Sequence, residues 1–283
     1  MRTRYLLLVF GDGDSHYHQA QHAILSLLAH VPAEAKAGES EVVVVTDRPQ
    51  RFAWLASLIT VEVVDEATLT AWRGASGFFW RIKLHALLAH AGTDHALVYL
   101  DSDVLVRKNL APLLAHLEAG GTAMHVREFN LAARRRRGDK ALYAAAGGRL
   151  WAGLAVDADS WMWNAGVAAV GPAGKPLLAK ALAACDELCA GLGIHSLNEQ
   201  LALSLALASG GKHIPAQPWI DHYWDNKPGY LDSIVAQQAR FLMTNATPAE
   251  AVAWVRDHPI ERPLSVRQTW WQKRLLASLT PKR

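Results

Sequence analysis

The segment Leu97-Val98-Tyr99-Leu100-Asp101-Ser102-Asp103-Val104 places two carboxylates, one residue apart, at the end of an apolar run. Adjacent carboxylates repel each other, and a divalent cation relieves that repulsion. Mg²⁺ and Mn²⁺ are typically held by one or two carboxylates together with the phosphates of a substrate. Such a cation bridges a diphosphate and stabilises the charge that grows on it as a group departs. Alternate residues of an extended chain point the same way, so Asp101 and Asp103 face one ligand if strand geometry persists through the motif.

Alone, Asp-X-Asp also fits a solvated acidic turn. It fits a haloacid-dehalogenase-like phosphatase too, where the first Asp is the nucleophile. That family carries the motif on its first strand, whereas here it lies about a hundred residues in, with no downstream acidic pair to complete a metal site. Other constellations carry less. His18 and His22 stand at i, i+4 near His16, but no cysteine or carboxylate set completes a tetrahedral metal site around them. Gly11-Asp12-Gly13 lacks the third glycine of a dinucleotide fingerprint. Cys185 and Cys189, one helical turn apart, read as small core residues.

The elements that must position the two aspartates follow from apolar patterning. Tyr5–Phe10, Glu41–Thr46, Thr60–Val64 and Ala96–Leu100 are short runs of the kind a strand buried on both faces requires. Between them lie helical stretches at His18–His30, Phe52–Leu58 and Phe78–Ala91. Strands alternating with helices imply crossover units and a mainly parallel sheet, an α/β fold. In such sheets ligands bind at the carboxyl ends of the strands, where Asp101 lies. Further on, Gly166–Gly171 returns to strand character, and Lys175–Ala190, Leu197–Ala208 and Ala249–Asp257 read as helices. The Ala-, Gly- and Arg-rich stretch from Ala132 to Gly148 reads as a surface loop or an acceptor-binding flap.

The 283 residues, 51% of them hydrophobic, can bury a sizeable core. A net charge of +3 is too balanced for a nucleic-acid binder. Two cysteines form no disulfide framework, which together with the lack of a signal peptide is a cytosolic pattern. No stretch approaches the roughly 18 apolar residues of a membrane span. The positive charge is concentrated at the end of the chain: from Arg262 to Arg283 there are six basic residues and no acidic one. Within it Trp270-Trp271-Gln272-Lys273-Arg274-Leu275-Leu276 reads as a helix that either covers the core or lies in a membrane interface.

The order of motifs resembles that of the GT-A glycosyltransferases, particularly glycosyltransferase family 8 and its bacterial relatives. The matching pieces run from about Tyr5 to Tyr230. They are Phe10-Gly11-Asp12, with Tyr17 beyond it; Phe79-Trp80-Arg81-Ile82-Lys83; Asp101-Ser102-Asp103; Met162-Trp163-Asn164-Ala165-Gly166-Val167; Asn198-Glu199-Gln200; and His222-Tyr223-Trp224-Asp225-Asn226-Lys227-Pro228. In the last piece the His-to-Lys interval is one residue shorter than in the family, Asp225 replaces a Gly, and Gly229 replaces an aromatic.

The resemblance implies a GT-A domain over residues 1–260, completed by smaller C-terminal elements, and a basic tail helix over 261–283. It implies transfer of a sugar from a nucleoside-diphosphate donor, with UDP the expected nucleotide, to a glycan or lipid-linked glycan, using Mn²⁺ or Mg²⁺. Asp103 and His222 would be metal ligands, and Asp101 would hold the metal or the donor ribose. Asp12 and Tyr17 would meet the nucleotide, Tyr17 by stacking on the base. Arg81, Lys83 and Lys227 would neutralise phosphate or orient the sugar, and Asn164, Glu199 and Gln200 would line the sugar and acceptor pocket. Retention of configuration follows if family 8 is the right branch, by front-face attack with the departing phosphate taking the acceptor's proton. An inverting enzyme would need a carboxylate base, for which Glu199 or Asp221 is available. A sugar nucleotidyltransferase would want a basic glycine-rich loop where Gly11–Ser15 is acidic, and a catalytically inactive nucleotide- or carbohydrate-binding module is the non-enzymatic alternative. The protein is expected in the cytoplasm, on the inner face of the membrane if the tail binds lipid.

Overall fold

A computed structural model describes residues 1–32, 40–133 and 137–263. Strand β1 (Arg2–Val9) lies at the centre of the sheet because it is apolar on both faces. Leu6 faces one hydrophobic core, while Tyr5, Leu7 and Val9 face the other. Helix α1 (Asp14–His30) covers the second face, and β2 (Ser40–Thr46) and β3 (Thr60–Val63) pair parallel on one side of β1. Helices α2 (Glu66–Trp72) and α3 (Arg81–His90) lead to β4 (His95–Leu100), which pairs parallel on the other side.

Beyond β4 the elements shorten. They run β5 (Val104–Val106), α4 (Ala111–Glu118), β6 (Thr122–Met124), β7 (Arg127–Asn130), α5 (Arg137–Ala146), β8 (Leu150–Trp151), β9 (Leu154–Ala155), β10 (Trp161–Trp163) and β11 (Val167–Val170). The last part comprises α6 (Lys175–Leu192), α7 (Asn198–Ala208), β12 (His213–Pro215), β13 (Ile220–His222), α8 (Lys227–Met243) and α9 (Pro248–Asp257). The seven-stranded sheet has the order β12-β6-β11-β4-β1-β2-β3. Only β11 runs antiparallel to its neighbours β4 and β6, so the sheet is mainly parallel, as the alternation of strands and helices requires.

Three features shape the site. Strand β11 returns along β4 with Val167 opposite Leu100, and the Asp101 amide donates to the Gly166 carbonyl at 2.9 Å. The ribbon of β7 and β10 carries the chain into that return. Strand β13 pairs antiparallel with β5, setting His222 opposite Val104 and so beside Asp103. The stretch read as a loop contains helix α5, in which Leu142 and Ala146 are buried. Helix α9 is fixed at its start by a capping box between Thr247 and Glu250. The basic tail from residue 264 onward and the arginines at 134–136 lie outside the described residues. Among the described residues no helix is long and apolar enough to cross a membrane.

Candidate active site

The aspartates occupy the carboxyl end of β4, but strand alternation does not align them. The strand ends at Leu100, residues 101–103 turn, and β5 begins at Val104. The turn nevertheless brings one ligand atom each of Asp101, Asp103 and His222 within 4.8 Å of one another. Nε2 of His222 lies 3.3 Å from Asp103 Oδ2 and 3.9 Å from Asp101 Oδ2. Lys227, the first residue of α8, reaches Asp103 Oδ2 at 2.8 Å. These groups open on a cleft of about 310 Å³ between the end of β1 and the start of α3. Phe79, Trp80 and Trp224 stand exposed at its margin.

The outer partners settle the chemistry of His222. Asn164 donates from Nδ2 to Glu128 Oε1 at 3.0 Å, and its Oδ1 accepts from the Gly166 amide at 3.0 Å. With its amide oriented by those two bonds, Oδ1 can only accept from Nδ1 of His222, 2.7 Å away. Nδ1 therefore carries a proton, and Nε2 is the nitrogen turned toward the carboxylates. Gly166 allows this packing, since a Cβ there would overlap the imidazole.

Asp101 accepts from Tyr99 Oη at 2.7 Å, and the buried Lys83 ammonium lies 3.2 Å from its Oδ1. Lys83 also reaches Glu199 Oε1 at 3.3 Å and donates to the Ala165 carbonyl at 3.2 Å. Burial alone would favour the neutral amine, but Asp101 and Glu199 outweigh it and raise the Lys83 pKa. Burial likewise opposes ionisation of Asp103, yet His222 and then Lys227 hold its carboxyl well below the ordinary range.

The donor set of two carboxylates and one imidazole suits Mn²⁺, and Mg²⁺ less well. Asp103 Oδ2 is buried and ion-paired, but accepts no well-aligned hydrogen bond. An acceptor of this kind, beside a histidine whose other nitrogen is anchored, fits a cation.

Not every residue expected at the site is there. Asn164, Glu199 and Gln200 lie behind the cleft wall: Asn164 backs His222, Glu199 backs Lys83, and Gln200 donates to Glu128 Oε2 at 2.9 Å. Lys83 reaches the cleft wall, but its charge is neutralised by two carboxylates. Arg81 is turned away, with Nε 2.6 Å and Nη2 3.0 Å from the carboxylate of Asp186 on α6 and Nη1 bonded to the Trp72 carbonyl. Asp12 is exposed and paired with Arg48, outside the cleft lining. Tyr17 offers no ring face to a base. Its ring is buried in the core 6.1 Å from Phe52, and its hydroxyl lies 2.9 Å from both the Gly11 carbonyl and Asp47 Oδ1, which share its one proton. Asp221, an alternative base, is engaged by Arg107 at 2.8 Å. His22 is buried, and His18 bonds Gln238 on α8, so the histidines of α1 form no cluster.

Sequence reasoning missed Glu128. It lies in a four-residue strand with no apolar period, and its partners Asn164 and Gln200 are distant in the chain. Nothing in its own surroundings could have marked it.

No protein-family model matches the chain, and a search of curated proteins finds no relative. Among solved structures it is similar to the galactosyltransferase LgtC in complex with donor and acceptor sugar analogs, at 16% identity and TM-score 0.47 over 75% of this chain and 73% of that one. It is also similar to the apo form of mouse xyloside xylosyltransferase 1, at 14% identity and TM-score 0.48 over 83% of this chain and 92% of that one. Likeness at this level leaves the function to be argued from the site.

Proposed function

We propose that the protein is a metal-dependent glycosyltransferase that takes its sugar from a nucleoside diphosphate, with UDP the expected nucleotide and a glycan the expected acceptor. The observation that carries this reading is the convergence of Asp101, Asp103 and His222 in the cleft at the carboxyl end of β4, with Lys227 against Asp103. Mn²⁺ or Mg²⁺ held by these three residues would supply Lewis-acid stabilisation of a departing diphosphate.

The charges support the same conclusion. Three carboxylates, Asp101, Asp103 and Glu199, face two ammonium groups, Lys83 and Lys227. A divalent cation turns the local balance positive, and the site then favours a polyanion over a neutral ligand. Lys227 is about two-fifths exposed and begins α8, so it can turn from Asp103 to a phosphate while the helix N-terminus adds partial positive charge. Glu199 is sealed against Lys83, and Asp221 is held by Arg107. Neither of these two candidate bases is therefore free for an inverting reaction, which supports retention by front-face attack.

Calorimetric titration of UDP, GDP and CMP, with and without Mn²⁺, tests the proposal on the native protein and on Asp103→Asn. One diphosphate nucleotide should bind, in need of both the ion and Asp103. If no nucleotide shows metal-dependent binding, the proposal fails.

A further inference from the structure

A second cavity, of about 460 Å³, lies on the β7–β10 ribbon away from the metal cluster. Its lining includes Arg127, Asp157, Trp161, Trp163, Ser209 and His213, and none of these lines the first cleft. The volume falls within the roughly 300–1,000 Å³ of small-ligand sites.

Its polar groups suit a ligand rich in hydroxyls. The Thr122 hydroxyl lies 2.9 Å from the Leu207 carbonyl and 2.8 Å from Nδ1 of His213, so Nδ1 is anchored whichever of the two takes its one proton. Nε2 of His213 is left buried and without a hydrogen-bond partner. Burial, with a smaller push from His116, lowers the pKa of His213 to about 4 and keeps the ring neutral at pH 7. Asp157 uses Oδ1 on the Ser160 hydroxyl and the Asp159 amide, and no bond engages Oδ2 among the described residues. Trp161 and Trp163 are half-buried, and among the described residues neither indole N–H has a partner. The Arg127 guanidinium carbon lies 4.2 Å from the centre of the Trp161 ring, a cation–π contact beside the groove.

Indole rings beside carboxylate, guanidinium and imidazole groups are what a sugar needs. The C–H face of a pyranose packs on an electron-rich ring, while its hydroxyls donate to the acceptors and accept from the donors. Asp157 and Asp159 weight the lining against anionic sugars.

The groove and the first cleft are built from the same segments. Arg127 precedes Glu128, and Trp163 precedes Asn164. Ser204, which also lines the groove, bonds both the Trp163 amide and the Gln200 carbonyl. We propose that this groove is a second, non-catalytic carbohydrate site that binds a neutral oligosaccharide. On the glycosyltransferase reading, that oligosaccharide is the acceptor chain at a distance from the reacting end.

The test titrates maltopentaose, cellopentaose and chitopentaose against the full chain, Trp161→Ala and Ala208→Trp, by calorimetry and tryptophan fluorescence. Ala208 is an exposed residue on the groove wall, so Ala208→Trp fills the groove without removing a core side chain. At least one pentasaccharide should bind the native chain saturably, and each variant should weaken it about tenfold or more, a loss of about 1.4 kcal/mol. Metal-dependent nucleotide binding should be unchanged in both variants. Absence of binding by all three sugars, or binding that survives Ala208→Trp, overturns the groove. Failure of the nucleotide titration alone overturns only the functional reading.

Discussion

Two residues of the Asp101, Asp103 and His222 cluster are fixed by partners outside it, Asp101 by Tyr99 and Lys83 and His222 by Asn164. Asn164 is the clearest case: it touches no proposed ligand except His222, yet its Oδ1 decides which imidazole nitrogen is free. Asn164→Ala should lower Mn²⁺ affinity by about 10- to 100-fold, the usual effect of removing an outer hydrogen-bond partner. Calorimetry of Mn²⁺ binding, with circular dichroism to confirm the fold, checks it; affinity within twofold of the native chain would contradict the proton assignment. Gly166 serves the same end by having no side chain, which explains physically why a glycine stands in the Asn-Ala-Gly-Val segment.

Two cations on α3 act between elements. Lys83 joins α3 to the end of β4 and the first turn of α7 through Asp101 and Glu199. Arg81 joins α3 to α6 through Asp186. Both belong to a segment whose basic pattern suggested phosphate binding, and α6 and α7 claim them first. Arg81→Ala should destabilise the fold by about 1–3 kcal/mol, the value of charge-assisted hydrogen bonds in a partly buried place. Its effect should appear in the urea midpoint and not in the nucleotide affinity. A large loss of nucleotide binding at unchanged stability would return Arg81 to the donor site.

At the scale of the whole molecule, acid should weaken the fold through buried histidines. Burial, then the charge of Arg107, lowers the pKa of His22 to about 4, against about 6.5 in an unfolded chain. Between those values the unfolded chain binds the proton and the folded one does not. The contribution of neutral His22 is therefore fully present above about pH 6.5 and is lost as pH falls to about 4, by about 1.4 kcal/mol per pH unit. In urea titrations from pH 7 to 4, His22→Leu should remove close to one proton's worth of that slope. An unchanged slope would show that His22 is protonated in the folded protein.

What could be read from the sequence follows the range of the forces involved. Strands β1, β2 and β4 announce themselves because burial on both faces makes them uninterrupted apolar runs, and the two aspartates inherit their place from β4. Helices α6 and α7 are legible from their apolar content. The two- to four-residue strands from β5 to β10 are too short for alternation to stand out and exist only through their partners. Tyr17 was misplaced for a related reason: next to a nucleotide-like loop its ring looks available, and only Phe52 and Asp47 show it committed to the core. The resemblance points to His222 and Lys227; the register of β13 on β5 seats His222 beside Asp103, and Lys227 follows at the start of α8.

That register also orders events in time. A chain made from its N-terminus exposes Asp101 and Asp103 well before His222 leaves the ribosome, and β5 has no partner until β13 arrives. An ion bound as proposed therefore cannot nucleate the sheet. With His222 as a ligand, such an ion would complete its shell only once the parallel strands are in place, and would then hold the last strand on a scaffold already built.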